Sequence, residues 1–364
     1  MIWKTKLAEF NDNKSSIQAV TYASAGVNIN NANEAKTVMR NSLTSLDPRI
    51  LNNMGDFASL VDLTMPNLNH PIVVFKTEEP GTKQKFAIEN RSYHSICFDL
   101  VHHLINDIIV MGAIPVVMQD AIICGRLDRE IVTKMVSALA EACNTQGCSL
   151  TGGETSEQPG VLDEGVYVLT GSLIGIVEKS KIIDGHLIKP GDSILALASN
   201  GVHTNGYSLI RHLIKTNSDF LDDRIEGISV RDVLLRPHRC YLSALRECLE
   251  LGSIHGLAHI TGGGIEDNLK RIIPEDLCGN IDLSLVKTLE IFGVISKAGA
   301  IPDQEMLKVF NMGVGILAVV ESGEENRIQK SIQESGVECY RVGHISSKKD
   351  SKSKDIIFSN KLVW

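Results

Sequence analysis

The segment from Cys97 to Pro115 restricts the possible folds of this chain more than any other. At helical spacing its apolar residues share one broad face, formed by Leu100, Val101, Leu104, Ile105, Ile108 and Met111. The other face carries Asp99, His103, Asn106 and Asp107. A solvated helix face usually carries lysine and glutamate, whereas this face has short acceptors and no lysine or arginine. We therefore predict a helix over residues 99–112 with a functional acidic face; the alternative is an Asp-rich surface helix.

The two aspartates of this face predict a cation site. Asp99 and Asp107 are about two helical turns apart. Two carboxylates on one helix can hold Mg²⁺, which prefers oxygen ligands and keeps phosphates and waters as further ligands.

The length and the order of elements predict two domains. A chain of 364 residues that is 43% hydrophobic can bury a large core, and the polar stretch 178–192 is the predicted boundary, giving domains 1–177 and 178–364. Predicted strands cover 71–75, 115–118, 149–151, 194–198 and 314–320, and predicted helices lie near 32–44, 128–146, 207–214 and 240–251. Because they do not alternate strictly, an α+β or mixed α/β fold is favoured over a doubly wound one.

Charge and cysteine usage exclude several kinds of partner. The net charge of −8 argues against nucleic acid or an anionic membrane as the main partner. Eight scattered cysteines without a C-x-x-C pair indicate reduced thiols rather than disulfides or zinc. The N-terminus lacks the apolar core of a signal peptide, and the longest apolar runs are too short to span a bilayer. We therefore expect a cytoplasmic protein.

Four glycine-containing turns have a common pattern, in which a strand ends and a small polar or charged residue follows. They are E-E-P-G-T-K (78–83), G-G-E-T (152–155), G-V-H-T-N-G (201–206) and T-G-G-G (261–264). Glycine lets backbone N–H groups approach phosphate oxygens, and lysine supplies charge. A single glycine turn is ordinary, but four of them predict a phosphorylated ligand. We expect residues 152–160 to form a loop.

Three residues in these turns are candidates for chemistry. Lys83 could hold a triphosphate, or it could be a solvated surface lysine. Glu154 could bind a metal or a ribose hydroxyl, or it could accept hydrogen bonds from its own loop. His203 is expected in an exposed turn, which favours proton transfer or phosphate binding over a core position. His102 and His103 are adjacent and should diverge on a helix, so a metal shared by these two is not expected.

Six longer motifs carry a family resemblance. They are Y-A-S-A-G-V-N-I (22–29), F-D-L-V-H-H-L-I-N-D (98–107), C-S-L-T-G-G-E-T-S-E-Q-P-G (148–160), G-V-H-T-N-G-Y-S-L-I-R (201–211), A-H-I-T-G-G-G-I-E-D-N (258–268) and F-N-M-G-V-G (310–315). In this order they resemble the aminoimidazole ribonucleotide synthetases (phosphoribosylformylglycinamidine cyclo-ligases) over roughly Tyr22 to Ile345. The resemblance implies an N-terminal domain that dimerises into a barrel-like sheet, a C-terminal α/β domain, and ATP in a cleft near the dimer interface.

The resemblance also implies an activity and a set of residues. ATP and Mg²⁺ would phosphorylate the amide oxygen of formylglycinamidine ribonucleotide, and an amidine nitrogen would displace phosphate to close the imidazole ring. The implied metal ligands are Glu78, Asp99 and Asp107. The implied nucleotide residues are Glu78, Gly81, Thr82, Lys83, Asp99, Asn106, Gly152, Gly153, Thr261, Gly262 and Gly263. The implied catalytic and substrate residues are Lys83, Glu154, His203 and Asn205.

The phosphate loop departs from the family pattern G-T-D-G-V-G-T-K, because residues 76–83 read K-T-E-E-P-G-T-K. Glu78 is one methylene longer than the usual Asp, while Glu79 adds charge and Pro80 removes an N–H donor. His102 and His103 stand where the family has small or apolar residues, which favours a local peculiarity over a role in the site. Two alternatives therefore stay open: a divergent paralogue that activates another amide or carboxylate, and a ligand-binding protein without ATP turnover.

Overall fold

The computed structural model describes residues 47–52, 56–350 and 354–364. The predicted helix near 32–44 and the motif at 22–29 lie outside these residues. The first half contains β1 (Pro71–Glu78), α1 (Lys83–Glu89), α2 (Tyr93–Ile109), β2 (Ile114–Cys124), α3 (Arg129–Thr145), β3 (Ser149–Glu157) and β4 (Tyr167–Glu178).

These strands form a four-stranded sheet in the order β1-β4-β2-β3. Strand β4 is antiparallel to both β1 and β2, and β2 is parallel to β3. Helices α2 and α3 pack on this sheet. The predicted apolar residues within α2 are fully buried, whereas Met111 follows the end of the helix and is 38% exposed. Helix α3 begins where predicted, because the Asp128 carboxylate accepts hydrogen bonds from the backbone N–H groups of Glu130 and Ile131.

The second half forms a larger, mostly antiparallel sheet. Its elements are β5 (Ser193–Ala198), α4 (Tyr207–Thr216), β6 (Arg224–Ile225), β7 (Ile228–Ser229), α5 (Val230–Leu234), α6 (Leu242–Glu250), β8 (Ile254–His259), α7 (Gly264–Lys270), β9 (Leu277–Asp282), α8 (Glu290–Gly299), α9 (Asp303–Val309), β10 (Val314–Val320), α10 (Glu325–Glu334), β11 (Cys339–Ser347) and β12 (Ile356–Ser359). Six of these strands make one sheet in the order β12-β9-β11-β5-β10-β8, and β6 pairs with β7 in a separate two-stranded sheet.

The predicted mixed α/β fold is confirmed. Strand β10 has the predicted bounds, and all of its residues are buried because its two faces pack into two different hydrophobic clusters. The eight cysteines are free, as expected. Among the described residues, no helix has both the length and the apolar character needed to cross a membrane.

The predicted loop at 152–160 is wrong over its first part, because residues up to Glu157 continue β3. Gly152 has a φ of +137° beside an irregularity in the β2–β3 register. Gly153 lies opposite Asp120, and a Cβ atom on Gly153 would come within 2.3 Å of the Asp120 carbonyl oxygen. These two glycines therefore permit close strand pairing rather than a turn.

Candidate active site between the two sheets

The polar face of α2 packs against the segment 236–241, which precedes α6. The Asn106 side chain donates to the Arg239 carbonyl at 2.8 Å and accepts from the Tyr241 N–H at 2.9 Å. His102 Nδ1 donates to the His238 carbonyl. Short polar side chains are needed here because they satisfy the backbone of a buried segment. The alternative of an exposed Asp-rich helix is therefore wrong.

Lys83 and Asp99 form an ion pair in which both side chains are completely buried. The Lys83 ammonium lies 2.9 Å and 2.8 Å from the two carboxylate oxygens and also donates to the Arg236 carbonyl at 2.7 Å. The His238 N–H donates to the same carboxylate at 2.7 Å. Burial raises the pKa of Asp99 to about 6, although Lys83 opposes this rise. Lys83 is therefore not a solvated lysine; it joins α1, α2 and the segment 236–241.

A second charged group joins β1 to α2. The Lys76 ammonium lies 3.0 Å from a Glu78 oxygen and 2.9 Å from an Asp107 oxygen. Burial alone would raise the pKa of Asp107, but its hydrogen bond with His259 and the charges around it keep this pKa below its usual range. Lys76 thus places one positive charge between the carboxylates of Glu78 and Asp107. Glu78 and Asp107 offer the oxygen donors that suit Mg²⁺.

Three of the four predicted turns meet near these charged groups. Thr82 Oγ1 lies 3.3 Å from Ser208 Oγ, which follows the 201–206 turn. A Cβ atom on Gly262 would lie 3.4 Å from the Asn205 side-chain oxygen. Gly81 has a φ of +60° and faces the Thr204 carbonyl. The turns 78–83, 201–206 and 261–264 therefore line one partly exposed region.

The fourth predicted turn lies elsewhere. Glu154 is exposed on β3, at the opposite edge of the sheet from β1. Three strand spacings amount to about 14 Å. Within one chain, the G-G-E-T segment (152–155) therefore lies at the other edge of the sheet from Glu78.

His203 is buried, with 2% of its surface exposed, and the prediction of an exposed turn is wrong at this residue. Its Nε2 atom donates to the Asn200 side-chain oxygen at 3.0 Å, and its ring stacks on His238 with 3.9 Å between the ring centroids. Burial lowers the pKa of both rings well below 6.5, so they are neutral at pH 7.

The two adjacent histidines of α2 diverge, as predicted. His103 Nδ1 lies 3.2 Å from the Thr204 hydroxyl, whereas His102 contacts the His238 backbone. The ring of His103 lies 5.2 Å from that of His259, which contacts Asp107. His103 thus contacts Thr204, Asp107 and His259, and these contacts favour a role in the site over a local peculiarity.

Four residues of the site were not assigned from the sequence: Lys76, His238, His259 and Asn268. The Asn268 amide donates to the Gly264 carbonyl at 2.8 Å and to the Gly262 carbonyl at 3.2 Å, and so holds the 261–264 turn. His259 and Asn268 stand within the motif 258–268, and Lys76 begins the phosphate loop. The motifs recognised in the sequence therefore already contained these three residues. His238 stands in an irregular segment without a recognisable pattern.

Comparison with known families covers both halves of the chain. The N-terminal domain of AIR synthase related proteins matches residues 55–177, and the C-terminal domain of the same proteins matches residues 189–356. The chain belongs to the AIR synthase related family. The family resemblance drawn from the motifs is thereby confirmed.

Curated AIR synthase relatives match nearly the whole chain. A phosphoribosylformylglycinamidine cyclo-ligase from Magnetococcus marinus is 37% identical over 349 residues, which are 95% of this chain and 99% of that protein. A protein of the same name from an Exiguobacterium species is 35% identical over 91% of this chain and 97% of its own length.

Solved structures confirm the family fold at lower identity. Escherichia coli HypE has a TM-score of 0.67 at 13% identity, over 90% of this chain and 94% of its own. Thiamine-monophosphate kinase from Stenotrophomonas maltophilia has a TM-score of 0.61 at 15% identity, over 89% of this chain and 95% of its own. The hydrogenase maturation protein HypE in complex with ATP has a TM-score of 0.60 at 18% identity, over 88% of each chain.

Proposed function

We propose that this protein is a cytoplasmic phosphoribosylformylglycinamidine cyclo-ligase that uses ATP to form the imidazole ring of aminoimidazole ribonucleotide. The observation that carries the proposal is the 37% identity to a cyclo-ligase over 95% of this chain and 99% of the relative. The similarity covers both domains, for which we propose the bounds 1–177 and 178–364.

The reaction places definite demands on the site. The substrate amide oxygen attacks the γ-phosphorus of ATP, and the bond to ADP breaks. An amidine nitrogen then attacks the formyl carbon, the carbon–oxygen bond breaks, and phosphate leaves. Phosphoryl transfer needs charge neutralisation and positioning more than it needs a protein nucleophile.

The three converging turns support the position of the nucleotide phosphates. In this proposal Gly81, Thr82, Thr261, Gly262 and Gly263 offer backbone and hydroxyl groups to the phosphates. Lys83, Asp99 and Asn106 act through the buried contacts that fix α1, α2 and the segment 236–241. In this proposal Lys83 is a positioning residue.

We assign Mg²⁺ to Glu78 and Asp107, which already share one cation, Lys76. Bound there, Mg²⁺ would neutralise the developing charge on the transferred phosphoryl group. Asp99 does not fit a metal ligand, because both of its oxygens contact the Lys83 ammonium and the carboxylate is fully buried.

We propose that Asn205 lies on the substrate side of the site, that the buried His203 acts there through its contacts with Asn200 and His238, and that Glu154 and its two glycines lie at the far sheet edge. We also propose a homodimer. Val73 and Phe75 are 51% and 66% exposed on the face of β1 turned away from the core. Adjacent large apolar side chains on a sheet face are typical of an interface.

Phosphate release from ATP, with and without formylglycinamidine ribonucleotide, tests the function. We expect substrate-dependent release in the wild type and its loss in Asp107→Asn. A matched control is Asp192→Asn, which also removes a carboxylate from a buried Asp–His pair but lies at His255 instead. Wild-type release by Asp107→Asn would refute the metal assignment.

Two other results would favour the alternative functions. Nucleotide-dependent thermal stabilisation without substrate-dependent phosphate release would favour a paralogue that acts on another amide or carboxylate. The absence of any stabilisation by ATP would favour a protein without ATP turnover.

A further inference from the structure

Lys76 directs its ammonium at the two residues assigned to Mg²⁺. Alternate residues of a strand share one face, so Lys76 and Glu78 lie on the face of β1 that packs against α2. The ammonium lies 3.0 Å from Glu78 Oε2 and 2.9 Å from Asp107 Oδ2. Phosphoryl transfer with ATP and Mg²⁺ does not by itself require a lysine at this place. These two contacts therefore need their own explanation.

The oxygens that contact Lys76 are the ones that a metal ion would use. The other oxygen of Glu78, Oε1, accepts a hydrogen bond from the Glu79 N–H at 3.2 Å. The other oxygen of Asp107, Oδ1, lies 2.7 Å from His259 Nδ1. Asp107 Oδ2 also lies 3.7 Å from His103 Nε2, which is too long for a hydrogen bond. Glu78 Oε2 and Asp107 Oδ2 are therefore the oxygens left for a cation, and Lys76 holds both.

An ammonium and a metal ion cannot share these two oxygens without strong repulsion. Mg²⁺ lies about 2.0–2.1 Å from its oxygen ligands. At that distance from Glu78 Oε2 and Asp107 Oδ2 it would stand directly beside the Lys76 ammonium. Two neighbouring cations in a partly buried site repel each other more than they would in water. Mg²⁺ binding to both carboxylates therefore requires the ammonium to leave.

Lys76 has room to leave this position. Its side chain is 36% exposed, and β1 lies at the edge of its sheet. By contrast, the Lys83 side chain is completely buried, and its ammonium is held by Asp99 and by the Arg236 carbonyl. A partly exposed lysine can carry its ammonium into water on its flexible stem, whereas a fully buried one cannot.

We propose that Lys76 is an internal counter-ion that competes with Mg²⁺ for Glu78 and Asp107. In the metal-free protein the ammonium neutralises both carboxylates. Mg²⁺ binds as the ammonium moves out, so metal binding includes the cost of breaking two ion pairs. Lys76 thereby raises the Mg²⁺ concentration that the site requires. The inference rests on the Mg²⁺ assignment made in the proposed function.

Metal binding to the full chain without ATP or substrate tests the inference. Mn²⁺ suits the same oxygen ligands, and its electron paramagnetic resonance signal weakens when it binds; Mg²⁺ affinity follows from displacement of Mn²⁺. Lys76→Met keeps the apolar stem and removes the charge. It should bind Mn²⁺ about tenfold more tightly than the wild type, because two partly exposed ion pairs no longer compete. Mg²⁺ should also raise its unfolding temperature more than that of the wild type.

Three further variants separate the charge of Lys76 from other effects. Lys76→Arg keeps the positive charge and should bind Mn²⁺ no more tightly than the wild type. Lys85→Met removes an exposed lysine of α1, paired with Glu89, and should match the wild type. Adding Asp107→Asn to Lys76→Met should abolish the gain in affinity. Circular dichroism establishes that each variant is folded, and Lys76→Gln is a second neutral variant if Lys76→Met does not fold.

The affinities of these variants decide the inference. Equal Mn²⁺ affinity in the wild type and Lys76→Met overturns it, and so does an equal gain in Lys76→Arg. If Asp107→Asn alone weakens Mn²⁺ binding while Lys76→Met does not strengthen it, the Mg²⁺ assignment stands and the role of Lys76 is refuted. Failure of the proposed function would appear separately, as a wild type without substrate-dependent phosphate release, and would leave the comparison of metal affinities unchanged.

Discussion

The Nδ1 atom of His259 lies 2.7 Å from a carboxylate oxygen of Asp107, although the two residues are 152 positions apart. Asp107 belongs to the helix over the first sheet, and His259 ends a strand of the second. This contact joins the two halves of the chain at the proposed active site. Substitutions on either side of it should therefore change the same measurable properties.

The buried ion pair of Lys83 and Asp99 should contribute strongly to stability. Lys83→Met leaves Asp99 buried without its partner and should lower the free energy of unfolding by about 3–5 kcal/mol in urea denaturation. The double variant Lys83→Met with Asp99→Asn should recover part of this loss, because Asn keeps an acceptor for the His238 N–H.

The control for this pair is Lys85→Met in the same helix. Lys85 forms an exposed ion pair with Glu89, and such pairs contribute about 0.5 kcal/mol or less. Equal stabilities of Lys83→Met and Lys85→Met would contradict a structural role for Lys83.

The phosphate loop of this chain should bind ATP more weakly than a loop with the family pattern. Replacing Glu78-Glu79-Pro80 by Asp-Gly-Val removes one negative charge and restores one N–H donor in the turn between β1 and α1. One charge-assisted hydrogen bond is worth about 1.5 kcal/mol or more, so we expect at least about tenfold tighter binding by isothermal titration. The single variants Glu79→Gly and Pro80→Val separate charge from hydrogen bonding. An unchanged affinity in all three would mean that another part of the site compensates for this loop.

Acid should destabilise the fold through its buried histidines. Burial lowers the pKa of His102 to about 4 from its usual 6.5. The unfolded chain therefore binds a proton that the native state does not, and the stability present above pH 6.5 is lost as the pH falls toward 4. For His102 alone the loss between pH 7 and pH 4 is roughly 3 kcal/mol.

The pH dependence of unfolding in His102→Asn checks this. Asn can keep a hydrogen bond to the His238 carbonyl but does not titrate, so the stability of this variant should fall less steeply with acid. His94→Asn, at an exposed position of the same helix, should match the wild type. A wild-type slope in His102→Asn would contradict the buried neutral histidine.

The exposed face of β1 should be the dimer contact. Phe75→Lys places a charge in this apolar face and should convert a dimer to a monomer in sedimentation equilibrium. Leu187→Lys is the control, since Leu187 is 51% exposed in the second half of the chain. A wild-type protein that sediments as a monomer, or a dimeric Phe75→Lys variant, would contradict this interface.

Local patterns predicted the fold better than they predicted the site. Strand β10 and helix α3 were predictable because a continuous apolar run and an Asp N-cap each act within their own segment. The continuation of β3 through Gly153 was not, because it depends on a neighbour, Asp120, that is distant in sequence.

The site shows the same limit. Three glycine turns were recognised from their composition, and the structure brings them together. The burial of Lys83 and His203 depends on the segment 236–241, which carries no periodic pattern. A single sequence cannot reveal such a partner, since the contacts span more than 30 positions for His203 and more than 150 for Lys83.

The fate of the amide oxygen tests the central proposal most directly. Formylglycinamidine ribonucleotide labelled with oxygen-18 at its formyl oxygen is incubated with the protein, ATP and Mg²⁺, and the products are analysed by mass spectrometry. We predict that the label appears in inorganic phosphate while the ribonucleotide loses the elements of water. Phosphate without the label, or no ring-closed product despite bound ATP, would contradict the cyclo-ligase assignment.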